Sequence, residues 1–247
     1  MEENNTNEVK ENLEKNIKEN TENNTESTET EQKTKTELSK KDKIKDALEW
    51  VVCTIVALII VLTLKYFVIS PTVVKMTSMY PTLKDSQRLF LNRTHRLGLN
   101  EIERGDIITF ERPKQNYSPE TADQSNPKAI YDTTKHGLIY NFLYYVVETP
   151  KVSYIKRVIG LEGDHIEIKN NKVYRNGEEL KEDYISSDVK TESPVFTDFT
   201  VPEGYVFAIG DNRENSIDCR SFGCIPLEKV EGTVLCRFWP LNAISGF

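Results

Sequence analysis

Hydrophobic positions in this chain form one long unbroken run followed by many short ones. Trp50 to Leu64 (WVVCTIVALIIVLTL) is fifteen residues without a charge, continuing through Lys65 into Tyr66-Phe67-Val68-Ile69 and stopping at Ser70-Pro71. With the Lys65 ammonium reaching toward the interface the apolar span is twenty residues, the length a helix needs to cross a hydrocarbon core at ~1.5 Å per residue. Ser39-x-x-Asp42 stands before it with the spacing of a capping box. Trp50 and Tyr66-Phe67 fall where interfacial aromatics belong. A buried core helix could be as apolar, but no second helix of like character follows to cover it. A cleaved signal peptide would begin with a short basic segment, whereas some 49 residues precede this run. The pattern therefore predicts an uncleaved membrane anchor over residues 39–70. Lys40, Lys41, Lys43 and Lys45 lie just ahead of the run, which places the N-terminus in the cytoplasm and residues 71–247 outside.

After Pro71 the pattern changes to short runs of Val, Ile, Phe and Tyr punctuated by turn residues. Strands are expected at Arg88–Asn92, Asp106–Glu111, Ser153–Gly160, His165–Lys169, Lys172–Arg175, Thr197–Val201, Tyr205–Gly210 and Gly232–Phe238. Asn170-Asn171 reads as a two-residue hairpin turn and Asn176-Gly177 as another. No long amphipathic helix is visible in this part. The expected fold is mainly β: an antiparallel β-barrel or sandwich domain over residues 71–247, carried on one N-terminal transmembrane helix. Residues 113–150 look like an insertion. Its first half is polar, while Ile139 to Val147 fits either a buried strand or short helix, or an exposed apolar patch resting on lipid.

Composition refines this picture. Residues 1–38 hold eleven Glu and five Lys, a net of −6 out of −7 for the whole chain, with no Gly, Pro or aromatic residue. Such a stretch buries too little apolar surface to offset its ordering entropy, so it reads as a disordered acidic tail. The remainder is near neutral and lacks the concentrated positive charge of a nucleic-acid binder. Four cysteines (Cys53, Cys219, Cys224, Cys236) are too few for a disulfide scaffold and lack zinc-site spacing. Buried thiols are the expectation; a Cys219–Cys224 bond would leave one of the three outer thiols unpaired.

Three segments carry candidate chemistry. Ser78 precedes Met79-x-Pro81-Thr82, where Pro81 restricts the backbone and fixes a hydroxyl close to the membrane exit. A serine hydroxyl needs a base. The three histidines, His95, His136 and His165, sit in no catalytic context and read as surface or structural. Lys156 is flanked by strand formers, on one face with Tyr154 and Val158, while Ile155, Arg157 and Ile159 share the other. Desolvation on an apolar face would lower its pKa into the range of a general base; a lysine that snorkels out or meets a carboxylate is the competing reading. Gly210 to Arg220 is dense in turn formers and charges; Asp218 and Arg220 could pair with each other or with neighbours, while composition alone favours a solvated polar turn.

Taken together, Ser78-Met79-Tyr80-Pro81-Thr82-Leu83, Arg104-Gly105-Asp106-Ile107-Ile108-Thr109-Phe110, Lys156-Arg157-Val158-Ile159-Gly160-Leu161-x-Gly163-Asp164 and Gly210–Arg220 resemble the four ordered boxes of bacterial type I signal peptidases. Any one box is a weak match; four in order behind an anchor make a strong one. The resemblance implies a Ser78 nucleophile, a Lys156 general base, a Ser216 hydroxyl orienting that lysine, and an Asp218–Arg220 ion pair holding the loop. It also implies the Ser78 backbone N–H as an oxyanion donor. No metal or cofactor is implied. Substrates would be secreted preproteins with Ala-x-Ala-type signal peptides, cut by a monomer in the bilayer. Three positions depart from the family pattern: Met76, where Gly or Ser is usual and the oxyanion hole is shaped; Glu162, usually Pro; and Cys219, usually Ser. Two other readings stand beside this one, a non-catalytic relative that binds secreted chains and a self-cleaving Ser-Lys regulator. The regulator would bring a DNA-binding helix-turn-helix rather than an anchor.

Overall fold

The computed structural model describes residues 43–134, 137–149 and 151–247. The acidic tail, the Ser39–Asp42 capping box, Lys40, Lys41 and His136 lie outside the described residues. The chain divides into two units, residues 1–60 and 61–247.

Helix α1 runs from Lys43 to Phe67, 25 residues. At ~1.5 Å per residue it spans more than the roughly 30 Å of a bilayer core. Val51, Ile55, Leu58 and Ile59 are exposed along it. Among the described residues it is the one helix long and apolar enough to cross a membrane. It ends two residues before the expected limit of the apolar span, because Pro71 pushes the preceding residue into extended geometry and Ile69 already opens a strand.

The second unit is built on antiparallel strands: β1 (Ile69–Val73), β2 (Arg88–Asn92), β3 (Ile107–Glu111), β4 (Ser153–Gly160), β5 (His165–Lys169), β6 (Lys172–Arg175), β7 (Glu178–Glu179), β8 (Asp198–Thr200), β9 (Tyr205–Ile209), β10 (Ile225–Pro226), β11 (Val230–Trp239) and β12 (Ser245–Gly246). All eight strands expected from the sequence are among them. The larger sheet has the order β1-β2-β11-β3-β4-β9-β10, with β12 on β11, and the smaller has the order β7-β6-β5-β8. Both sheets stay open, so the sandwich half of the expectation holds and the closed barrel does not. Pro71 lies in β1, and a residue without N–H is tolerated at just such an edge. Asn170 and Asn171 both have positive φ, 53° and 62°, as a two-residue hairpin turn of this hand requires.

Ile108, Phe110 and Val158 of the larger sheet pack against Ile166 and Phe199 of the smaller, with Phe196 and Phe222 between. A second buried cluster, Val74, Met79, Leu83, Leu89, Leu91, Ile107 and Val234, lies under the segment that carries Ser78. In the 113–150 insertion the apolar run forms helix α2 (Leu138–Val147), α-helical to Phe142 and π-helical from Leu143. It is neither a strand nor buried: Leu138 and Ile139 are 89% and 80% exposed.

Candidate active site

Two buried side chains, Met79 and Leu83, pin the segment around Ser78 to the core. The N–H of Tyr80 donates to the Thr77 carbonyl at 3.0 Å and that of Leu83 to Met79 at 2.8 Å, and the Tyr80–Pro81 peptide is cis. Just ahead of these anchors Ser78 is left half-buried. Its backbone N–H has no acceptor among the described residues.

Strand β4 presents the lysine. Residues 153–157 pair with β3, whereas β9 joins β4 only from Arg157 onward. Among the described residues, one edge of β4 therefore has no strand beside it from Ser153 to Lys156. There the Lys156 Nζ lies 2.7 Å from Ser78 Oγ and 3.1 Å from the Ile155 carbonyl oxygen. Lys156 is 3% exposed, with the Tyr154 ring 5.3 Å from its Nζ. Burial lowers its pKa to about 8, against the opposing pull of the Asp218 carboxylate. At neutral pH about one such lysine in ten is neutral, against fewer than one in 10³ for an exposed one. A neutral amine at this distance can take the hydroxyl proton as the oxygen attacks an electrophile.

The loop after β9 closes over this pair. The Asn212 N–H donates to the Ser78 carbonyl at 3.0 Å, and the Asn212 side-chain amide to the Thr77 carbonyl at 3.1 Å. Asn215 reaches Thr77 Oγ1 at 3.3 Å. Asp218 and Arg220 do pair, at 2.8 Å, and both are buried. Burial pushes the Asp218 carboxyl up, but Arg220 and the Gly210 N–H outweigh it and hold the group ionised below the usual carboxylate range. Arg220 also donates to the carbonyls of Glu192 and Arg213. Removing one member of such a pair leaves an uncompensated buried charge, worth about 3–5 kcal/mol.

Ser216 lines the same cleft as Ser78 and Lys156. The hydrogen bond to Lys156 that the resemblance implies is not made: its buried hydroxyl has no partner in hydrogen-bonding geometry. The Asp218 carboxylate nevertheless feels that hydroxyl.

Three residues that the sequence reading did not assign tie the segments together. Asp211, fully buried, accepts from Arg157 Nε at 2.9 Å and Nη2 at 2.7 Å, and from Thr82 Oγ1 at 2.6 Å. One carboxylate thus joins the Ser78 segment, β4 and the loop after β9. The signal for it was available: alternation puts Arg157 on the face opposite Lys156, among apolar residues, where a guanidinium needs a buried partner.

The departures from the family pattern have local explanations. Cys219 is buried and its Sγ accepts from the Ala208 N–H at 3.2 Å. Glu162 accepts from the Gly204 N–H at 2.8 Å. Met76 has φ of 74°, the left-handed region that favours glycine, and its N–H donates to Asp85 at 2.9 Å. Met76→Gly is expected to raise stability by about 1 kcal/mol, the left-handed penalty less the extra freedom of an unfolded glycine. Thermal unfolding of the full chain in detergent measures it; a lower midpoint would mean the side chain holds the segment in place. Of the histidines, His95 lies 3.2 Å from the Val230 carbonyl and His165 2.8 Å from Asp198, and neither lines the cleft. All four cysteines are free.

The cleft over Ser78 and Lys156 has a volume of about 850 Å³ and runs between residues 72–78 on one side and 151–156 on the other. Its far end is charged, with Lys151 and Glu231 paired at 2.7 Å and Arg93 and Glu148 at 2.5 Å.

The family described as signal peptidase, peptidase S26, matches residues 47–239. Signal peptidase I of Bacillus licheniformis is 33% identical over 204 residues, covering 79% of this chain and 90% of that protein. Signal peptidase IB of Staphylococcus aureus strain COL is 28% identical over 214 residues, covering 80% and 92%. A solved signal peptidase I from Enterococcus faecalis V583 is 29% identical, covering 54% of this chain and 97% of that one, with a TM-score of 0.33. A match that begins within α1, runs through every segment of the cleft and ends with β11 leaves one assignment: the chain belongs to the peptidase S26 family of signal peptidases.

Proposed function

We propose that this protein is a membrane-anchored serine endopeptidase that removes signal peptides from exported preproteins, with Ser78 as nucleophile and Lys156 as general base. The observation that carries this reading is the 2.7 Å approach of a buried lysine, its pKa lowered to about 8, to a serine hydroxyl at the side of a peptide-sized cleft. Neutral Lys156 takes the Ser78 proton as Oγ attacks the scissile carbonyl carbon. The Ser78 N–H donates to the oxyanion that forms. Protonated Lys156 then gives its proton to the departing amine, leaving the acyl chain esterified to Ser78. A water, deprotonated in turn by Lys156, releases it. The open edge of β4 suits an extended substrate, which adds to it as a strand. Val74 and Ile155 line that stretch and favour small apolar side chains, in keeping with Ala-x-Ala ends.

In this reading α1 anchors a monomer, with its basic flank in the cytoplasm and the β domain outside, where cleavage sites emerge. Ser216, unpartnered and in the same cleft, has a hydroxyl able to turn to the lysine as it changes charge. Asp218, Arg220 and Asp211 hold the loops in register, and Met76 borders the oxyanion site.

The test is cleavage of an exported preprotein by the full chain in detergent, with the new N-terminus sequenced, across a range of pH. Cleavage after the Ala-x-Ala end is expected, with kcat/KM rising about tenfold per pH unit up to an apparent pKa near 8. A profile that is flat between pH 6 and 9 would rule Lys156 out as the base. No cleavage by folded protein would favour a non-catalytic relative that binds secreted chains.

A further inference from the structure

Helix α2 has no charged residue from Leu138 to Val147. Its half-buried Tyr144, together with Tyr145, meets Lys151, whose Nζ lies 5.4 and 5.6 Å from the two rings. The other side is turned outward: Leu138 and Ile139 are almost wholly exposed, and Phe142 and Leu143 are nearly half exposed. Water is a poor neighbour for four large apolar side chains in a row, and a patch of this kind on a folded domain marks a contact surface.

The place of α2 in the fold identifies what it contacts. Lys65, in the last turn of α1, donates to the carbonyls of Val146 at 3.4 Å and Val147 at 3.3 Å and lies 3.6 Å from Glu148. Glu148 in turn meets Arg93, and Arg96 donates to the Tyr66 carbonyl at 3.0 Å while covering the Tyr66 ring. The end of α2 is thus fastened to Lys65 and its neighbours. Lys65 is the first charge after the uncharged run, and its ammonium reaches for the interface just where the anchor leaves the hydrocarbon. A helix of ten residues, about 15 Å long, is thus held by its C-terminal end at the membrane exit.

We infer that α2 lies in the membrane interface, with Leu138, Ile139, Phe142 and Leu143 inserted among the phospholipid chains, as a second membrane contact beside α1. The inference rests on the anchor reading proposed above. With this contact the 113–150 insertion fixes the height and tilt of the cleft over the bilayer, so that a membrane-held substrate meets β4 edge-on.

Two single-tryptophan forms of the full chain in phospholipid vesicles test this. The first keeps Trp50 and carries Trp239→Phe; the second carries Leu138→Trp, Trp50→Phe and Trp239→Phe. Position 138 is so exposed that tryptophan there disturbs no packing. Each form is titrated with phospholipids brominated near the top of the acyl chain. Both should be quenched, and the position-138 form should lose about half its emission, with a blue shift, as expected for insertion about 5–10 Å deep. A control carrying Glu120→Trp in place of Leu138→Trp, in the polar half of the insertion, should remain unquenched. Quenching of the Trp50 form alone would overturn the inference and leave the anchor standing. Quenching of neither would overturn both. An unquenched position 138 that cross-links between copies would assign the patch to a second chain instead of lipid.

Discussion

Ser78→Ala and Lys156→Met are each expected to lower preprotein cleavage by about 10⁴- to 10⁶-fold, and the double variant should be little worse than either single one, because groups that act as a unit do not lose rate additively. The two variants part company in stability. Lys156 has a folded pKa of about 8 against an ordinary 10.5, so folding a charged lysine into this site costs about 3 kcal/mol. The sign follows from proton binding. Between pH 8 and 10.5 the unfolded chain holds the proton more tightly than the folded one, so wild-type stability rises with pH across that window. Below pH 8 the full cost is present. Lys156→Met removes it and is expected to be inactive yet more stable than wild type at pH 7, with an advantage that fades toward pH 10.5. Ser78→Ala should leave stability almost unchanged. Thermal unfolding at both pH values, beside the cleavage assay, measures each half separately. If Lys156→Met retained activity, the base would lie elsewhere; if it were inactive and less stable, the lysine would be a buried charge kept for packing.

What the sequence made legible here divides by the range of the interactions involved. Strand positions were readable because they depend on local alternation and turn chemistry: Ser153–Gly160, His165–Lys169 and Lys172–Arg175 occur with the limits expected. β1 was not, because Pro71 reads as a break, and only its place at a sheet edge makes that residue tolerable. Openness or closure of the sheets is equally invisible, since it turns on whether two distant edge strands meet. In the site, Ser78 and Lys156 could be nominated by type and setting, but 78 positions separate them and only the fold brings them to 2.7 Å. The Asp218–Arg220 pair lies two residues apart and was open to local reasoning. The bonds from Asp211 to Arg157 and Thr82 span 54 and 129 positions, and nothing local signals which partner each would take. The apolar run of the insertion was visible as a run, but whether it is covered depends on neighbours that belong to other parts of the chain.

Gly210 shows how tightly those distant parts are fitted, and Gly210→Ala is expected to lower kcat by about 10²-fold or more, the scale on which a ~1 Å misplacement of a reacting group acts. Its backbone is not in the left-handed region, so alanine meets no conformational penalty there. The obstacle is space. A Cβ at this position would lie 2.5 Å from the Ser78 carbonyl oxygen, 2.2 Å from Ser216 Oγ and 2.7 Å from Ser216 Cβ. The Ser216 hydroxyl can turn aside, although its Cβ moves only with the loop. The Ser78 carbonyl cannot: it is main chain, held by the Asn212 N–H at 3.0 Å, and ordinary contact requires it to retreat by about 1 Å. That shift carries Ser78 Oγ off the Lys156 amine while Lys156 stays on β4, so kcat falls and substrate binding along the cleft changes little. Overpacking of this kind also costs about 1–3 kcal/mol of stability, read from the same unfolding experiment. Adding Ser216→Gly distinguishes the two collisions. It frees the side-chain space and leaves the carbonyl where it is, so the double variant should remain about 10²-fold slower than Ser216→Gly alone. Recovery of activity in the double variant would place the critical contact at Ser216 and would mean that the loop after β9 positions the lysine side of the pair rather than the serine.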